Sequence, residues 1–299
     1  MQPVSQDSSA PSPEILTLGT GDHPVLAVTG GVHGDEPEGV LAIRRLVGLL
    51  ASADLRGTLI AVPVVNPAAF AAGIRTHPHD GQDLNRLFPG KAAGAPSEVL
   101  AHHLFERVVS KADVLLDLHS GGRELQLLPT ALYVSGAGDD SARKAAALAF
   151  GTELVLSRAV QDLPPTLLRE ATRAGVVAVG VEAGGGGVCS EANVRLLCEG
   201  VLNVLALTGI LPPRPGVTWG GSSLAVGYWE VSPTTGLLVW ERRLGECVEC
   251  GDVLALVSEQ LGTKAQSLRA SFSGVLAGIR TTYGVAQGER VAMIGRQER

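Results

Sequence analysis

Val25-Leu26-Ala27-Val28-Thr29, then Gly30-Gly31-Val32-His33-Gly34-Asp35-Glu36, then Pro37 and an apolar series at Val40, Leu41, Ile43, Leu46, Val47 and Leu50: this stretch sets the reading of the whole chain. The first five residues suit a short strand buried on both faces. The glycines that follow make a turn. Pro37 then fits the first turn of a helix, where its missing N–H costs nothing. The apolar spacing beyond it is that of one helical face, so the helix is expected to run to about residue 50. Strand, glycine turn and helix together open an α/β unit.

The alternation recurs downstream. Residues 58–65 are expected as a strand, 97–112 as a helix capped by Ser97, 114–118 and 176–181 as strands, and 191–207 as the last helix. This order predicts an α/β fold with a mixed, mostly parallel sheet flanked by helices on both faces. At 211–216 the run Leu-Pro-Pro-Arg-Pro-Gly ends the last helix, and the pattern changes to short strands and turns. There Val248-Glu249-Cys250-Gly251-Asp252-Val253-Leu254-Ala255 echoes Val285-Ala286-Gln287-Gly288-Glu289-Arg290-Val291-Ala292. Both fit V-x-x-G-[DE]-x-[VL]-A, which predicts a small sandwich with pseudo-two-fold symmetry.

Composition narrows the function. With 299 residues the chain exceeds what one core usually serves, so two domains are expected. Apolar residues make up 45% and aromatics 4%, leaving Ala, Val and Leu to fill the core. No run approaches the roughly eighteen apolar residues of a membrane span, and the start of the chain lacks the pattern of a signal peptide. A cytoplasmic protein with no membrane partner is the default. A net charge of -6 argues against nucleic acid. Four cysteines, at 189, 198, 247 and 250, do not form a secreted disulfide framework. An apolar-rich chain with four lysines is compatible with a homo-oligomer.

The chemistry-bearing residues sit after the expected strands. His33 and Glu36 are three apart beyond the strand 25–29, and His119 ends the run Val114-Leu115-Leu116-Asp117-Leu118-His119. Ligands gather at the carboxyl ends of strands in such sheets. Two imidazoles and one carboxylate leave an open position on zinc, the arrangement of a catalytic site. The bland alternative is a loop His and Glu with an unrelated buried His. A second group is Asn66-Pro67, then Arg75, then Asp83-Leu84-Asn85-Arg86. Arginine grips carboxylates through paired hydrogen bonds, so Arg75, Asn85 and Arg86 suit a carboxylate-bearing substrate. Taken alone, Arg86 would more readily be a structural partner of Asp83. The third is Glu182, which ends a buried strand and is followed by Ala183 and four glycines. Near a metal it suits the general base, then the acid to the leaving amine. Its bland reading is a glutamate satisfied by loop amides.

Together these motifs resemble the succinylglutamate desuccinylase/aspartoacylase family, relatives of the zinc carboxypeptidases. G-G-x-H-G-x-E, N-P, D-L-N-R, D-L-H and V-E-x-G occur in the family's order over roughly residues 20–210. The resemblance implies one Zn2+ per chain held by His33, Glu36 and His119, and Glu182 as catalytic base. It implies that Arg75 assists the oxyanion, while Asn85 and Arg86 hold the substrate carboxylate. The β-rich tail resembles a barrel-sandwich hybrid and the C-terminal domain of the family's predicted-deacylase branch, which includes enzymes that deacetylate acylated diamino acids. The expected organisation is a disordered lead-in at 1–14, a zinc-dependent catalytic domain at 15–211 and a C-terminal β domain at 212–299.

An additional substrate arginine often precedes the family's catalytic glutamate; Arg169 and Arg173 compete for that place. Tyr228 and Tyr283 compete as a tyrosine closing the site. His77 and His79 flank the arginine loop, within range of a substrate. Cys247 and Cys250 form a lone CxxC without a second pair to complete a metal site. Lys264 falls near the turn where biotinyl and lipoyl carrier domains hold their cofactor, but the family's tails usually carry none. The expected function is zinc-dependent hydrolysis of the amide in a small N-acyl amino acid or similar carboxylate. The alternatives are a zinc carboxypeptidase acting on peptides and a non-catalytic small-ligand-binding protein.

Overall fold

The computed structural model describes residues 12–214, 223–259 and 264–297. Most of the lead-in expected at 1–14 therefore lies outside the described residues. The chain opens with β1 (Leu16–Gly19), β2 (Val25–Gly30), α1 (Pro37–Leu50), β3 (Thr58–Val62), α2 (Pro67–Ala72) and α3 (Pro96–Arg107). Next come β4 (Val114–His119), β5 (Leu125–Ser135), α4 (Ser141–Phe150), β6 (Leu154–Ala159), α5 (Leu167–Arg173), β7 (Val177–Gly185) and α6 (Glu191–Leu207). The remainder is strands: β8 (Ser223–Val231), β9 (Gly236–Trp240), β10 (Cys247–Val248), β11 (Val253–Ser258), β12 (Ala265–Arg269), β13 (Gly274–Arg280), β14 (Gly284–Val285) and β15 (Arg290–Gln297).

The main sheet runs β1-β3-β2-β4-β7-β5-β6-β8-β15-β13-β10. Strands β3, β2, β4 and β7 are mutually parallel, as are β5, β6 and β8, while β5 runs antiparallel to β7. The sheet is thus mixed with a parallel majority in its first half. Strands β2, β3 and β4 are buried along their whole length, which explains their unbroken apolar runs. One face packs on α1, α4 and α6 through Ile43, Leu46, Phe150, Leu197 and Val201. The other packs on α3 and α5 through Leu104, Leu167 and Leu168.

Several local expectations need correction. Ser97 does not cap α3. It lies inside the first turn, where its amide and hydroxyl both donate to Asp80, and Glu98 instead accepts from the Ala95 amide. The helix stops at Arg107 and a 3-10 turn, Val109–Lys111, finishes the segment. The strand expected at 58–65 ends at Val62, because Val65 and Asn66 turn to donate to the Gly30 and Gly31 carbonyls.

The C-terminal strands form two four-stranded arrays of matching order, β8-β15-β13-β10 and β12-β11-β9-β14. Each strand of β8 to β11 corresponds in turn to one of β12 to β15. The sequence echo has a structural cause at its turns. Gly251 and Gly288 both have positive φ, at 95° and 82°. Asp252 Oδ2 accepts from the Glu249 amide, and Glu289 Oε2 accepts from Ala286 at the equivalent place. The first array is continuous with the main sheet, since β8 pairs with β6 and β13 pairs with β5. Lys264 is exposed just before β12, and the turn preceding it lies outside the described residues. Cys247, in β10, and Cys250, in the turn that follows it, are free and exposed.

Candidate metal centre and active site

Register brings the three key segments to one level. Gly30 stands beside Leu118 in the β2–β4 ladder, and His119 stands beside Glu182 in the β4–β7 ladder. The loop after β2, the end of β4 and the last third of β7 therefore meet at the carboxyl edge of the parallel half. The loop carrying His33 and Glu36 is pinned from one side. Gly34 donates to the Ile74 carbonyl at 3.0 Å, and a Cβ on Gly34 would lie 2.0 Å from the Ala69 carbonyl carbon. Only glycine fits there, and the same contact sets Arg75 beside the loop.

His33, Glu36 and His119 are all buried, and one ligand atom from each lies within 4.8 Å of the others. Both imidazoles turn Nδ1 toward Glu36: His33 is 2.7 Å from Oε1 and His119 is 2.8 Å from Oε2. Their outward nitrogens face aspartates. His33 Nε2 is 3.1 Å from Asp83 Oδ1, and His119 Nε2 is 2.8 Å from Asp117 Oδ2. Thr29 Oγ1 donates to the other Asp117 oxygen at 2.7 Å. Carboxylates behind histidines in this way fix the ring orientation and raise the basicity of a metal ligand.

The electrostatics agree with a cation site. Burial opposes charge on His119, yet Asp117 and Glu36 raise its pKa well above the ordinary value. Burial likewise opposes charge on His33, and Glu36 and Asp83 outweigh it. Burial also works against ionised Glu36, but the two imidazoles hold it well below the usual carboxylate range. Three carboxylates around two imidazoles draw positive charge inward, as protons or as a metal. The donor set, two nitrogens and a carboxylate with a carboxylate behind each ring, fits zinc.

Glu182 completes the group. Its Oε2 is buried without a hydrogen-bond partner, which is costly unless something else uses it. Burial pushes its carboxyl up to about 7, reinforced by Glu36 and moderated by His119, His33 and Arg75. The backbone beyond it turns sharply: Gly185 has φ 103°, and a Cβ there would lie 2.3 Å from the Leu125 carbonyl oxygen. The four-glycine run thus lets this loop pass close to its neighbours.

The other expected residues are placed with more mixed commitments. Arg75 donates to Asp83 at 3.1 and 3.2 Å and to Glu36 Oε1 at 3.3 Å, so it touches the cage directly. Asn85 Oδ1 accepts from the Leu167 amide at 2.8 Å, fixing the start of α5. Arg86 donates to the Asn85 carbonyl and lies 3.9 Å from Asp83. Arg169 and Arg173 both pair with Glu170 on their own helix. Tyr228 lines a cavity, whereas Tyr283 is 72% exposed between β13 and β14. His77 is buried, its Nδ1 accepting from the His79 amide. Asp83 and Asp117 have roles that sequence reasoning did not assign. The available signal was the Asp-x-His spacing of β4, since residues two apart on a strand share a face.

Comparison with known proteins points the same way. Residues 22–208 match the family model for the succinylglutamate desuccinylase/aspartoacylase catalytic domain. The chain is 34% identical, over 98% of its length and 89% of the relative's, to the N-alpha-acetyl-L-2,4-diaminobutyric acid deacetylase of Halomonas elongata. A succinylglutamate desuccinylase/aspartoacylase structure from Rhodobacter sphaeroides superposes with a TM-score of 0.87 at 29% identity, covering 95% of this chain and 89% of that one. The product-bound ectoine utilization protein EutE (DoeB) of Ruegeria pomeroyi also gives 0.87, at 30% identity, covering 94% and 88%.

Proposed function

Since the chain belongs to the succinylglutamate desuccinylase/aspartoacylase family, we propose that it is a zinc-dependent deacylase cleaving the amide of a small N-acyl amino acid. The observation that carries this reading is the unpartnered, buried Glu182 oxygen beside the His33, Glu36 and His119 cage. A carboxyl with its pKa near 7 is suited to general base and acid work at neutral pH.

His33, Glu36 and His119 would hold the metal. Bound there, zinc supplies Lewis-acid polarisation of the acyl carbonyl and makes water more acidic. Glu182 takes a proton from the attacking water as its oxygen bonds to the acyl carbon. The guanidinium of Arg75 stabilises the negative charge that develops on the former carbonyl oxygen. Glu182 then delivers its proton to the amide nitrogen, the C–N bond breaks, and a carboxylic acid and a free amine leave. Asp83 and Asp117 keep the imidazoles oriented throughout. Arg86, with Asn85 bracing its loop, would hold the substrate carboxylate.

In this reading residues 15–211 form the catalytic domain, zinc carboxypeptidase-like in fold, and 212–299 a barrel-sandwich-like domain beside it. A cytoplasmic location and a homo-oligomeric state are part of the proposal. Among the described residues no helix is long and apolar enough to cross a membrane. The test is release of free amine from a panel of N-acyl amino acids, before and after chelation, with short peptides as competitors. Chelator-sensitive release from acyl amino acids in preference to peptides is expected. No release from any amide by the zinc-loaded protein would overturn the reading.

A further inference from the structure

Two arginines that this mechanism does not use share one cavity. Arg158 lies in β6 and Arg290 opens β15, on either side of β8 in the main sheet. Both line a cavity of about 490 Å³, together with Trp229, Tyr228, Ser157 and Asp162. The Arg290 guanidinium carbon lies 5.4 Å from the Trp229 ring centroid, a cation–π contact that holds the planar group in place. Arg158 reaches the Gly227 carbonyl at 3.4 Å. Among the described residues neither guanidinium has an ion-pair partner, although Asp162 borders the same cavity.

The cavity is electrostatically joined to the catalytic side. Partial burial, and then the like charges of Arg86, Arg158 and Arg75, push the Arg290 pKa below its ordinary value. Like charges gathered without counter-charges cost stability. Such local violations are expected where a ligand supplies the missing charge. Serine hydroxyls and aromatic walls beside two forked cations match a carboxylate on an organic body, since guanidinium fits carboxylate geometry through paired hydrogen bonds.

We propose that Arg158 and Arg290 form a carboxylate-binding subsite for the end of the substrate remote from the scissile amide. The inference rests on the deacylase reading and extends it: Arg86 and this pair then select for acyl amino acids against neutral amides.

The test is calorimetric titration of the zinc-loaded protein, and of its Arg290→Gln and Arg158→Gln variants, with N-acetyl-L-glutamate and with its uncharged diamide. The parent is expected to bind the acid and to discriminate against the diamide. Each variant should lose about tenfold or more in affinity for the acid, the scale of a lost charge-assisted hydrogen bond. Arg290→Lys, which keeps the charge but not the fork, should fall between. Kinetically, the variants should raise KM for the best acyl amino acid while leaving kcat, and KM for its carboxamide, near the parent values. Equal binding of acid and diamide by the parent, or an acid preference that survives both substitutions, would overturn the subsite. If no amide is hydrolysed but the acid preference appears and depends on Arg290, the deacylase reading falls and the subsite stands.

Discussion

The two charged regions of this molecule are built on opposite principles. Around His33, Glu36 and His119, both nitrogens of each ring and both oxygens of the glutamate have partners within 2.7 to 3.1 Å. Around Arg158 and Arg290, two cations share a cavity with no ion pair among the described residues. Glu182 stands between these extremes, held beside the cage with one oxygen unmatched. Full satisfaction suits a region that must keep its geometry while a tightly held group binds. An unmatched charge suits a group whose counterpart arrives and leaves with each turnover. The comparison can be broken at either end, and the expected effects differ in size.

The largest effect is expected at Glu182. Glu182→Gln should retain zinc, because Glu182 is not one of the cage residues, but lower kcat by roughly 10²–10⁴, the usual range for general acid–base catalysis. Metal content and steady-state rates measured on one preparation would check this. Undiminished turnover would remove Glu182 from the chemistry.

Breaking the outer carboxylates should come next. Asp117→Ala and Asp83→Ala leave the metal donors intact but free one imidazole each. Zinc affinity, read by competition with a chromogenic chelator, should fall roughly 10–100-fold in each. Unchanged affinity would mean that the inner three residues are held by packing alone.

A third prediction concerns pH. In the metal-free protein the Glu182 carboxyl rises from an ordinary 4.5 to about 7, chiefly through burial. The folded state therefore binds this proton more tightly than the unfolded state. That contribution to stability is complete below about pH 4.5 and is lost as pH rises through about 7. Glu182→Gln cannot ionise, so above pH 7 the metal-free variant should be more stable than the metal-free parent, by the order of a few kcal/mol. Chemical denaturation at pH 5 and pH 8 would reveal the difference; parallel curves at both values would contradict it.

The smallest effect is expected at Asn85. Removing the acceptor for the Leu167 amide, as in Asn85→Ala, should cost about 1–3 kcal/mol. Asn85→Asp, which keeps an acceptor, should recover most of it. A loss of substrate affinity with no loss of stability would instead make Asn85 a direct substrate ligand.

The legible parts of the fold were those dictated locally. Helices α1 and α6 occupy the spans read from sequence, because Pro37 begins one and the Ser190 side chain caps the other by accepting from the Asn193 amide. The strands at 25–29 and 114–118 each extend one residue further, within the usual uncertainty of element ends. Strand β5 was not legible. It contains Pro129, lacks clean alternation, and is held by pairing with β7, β6 and β13, all remote in sequence. The symmetric sheet pairs follow the repeat, but the continuity of one array with the main sheet depends on the long-range β6–β8 pairing.

The site divides in the same way. His33 and Glu36 could be read because they follow β2, and His119 because it ends β4; Glu182 lies inside β7, which runs on to Gly185 beyond the expected end at 181, and parallel register fixes their meeting point. What Asp83 and Asn85 touch could not be read, since their partners are 50 and 82 positions away and depend on which way each side chain turns, whereas the Asp-x-His spacing of β4 did signal Asp117. The Arg158 and Arg290 pair carries no motif at all. Only the strand order brings it together.

The most direct test of the account is metal analysis of the purified protein beside its His33→Ala/His119→Ala variant, with deacylase activity measured on both. The account predicts about one zinc per parent chain, little in the variant, and activity that disappears with the metal. A variant that binds zinc as the parent does, or metal-free protein that hydrolyses the acyl amino acids at the parent rate, would contradict it.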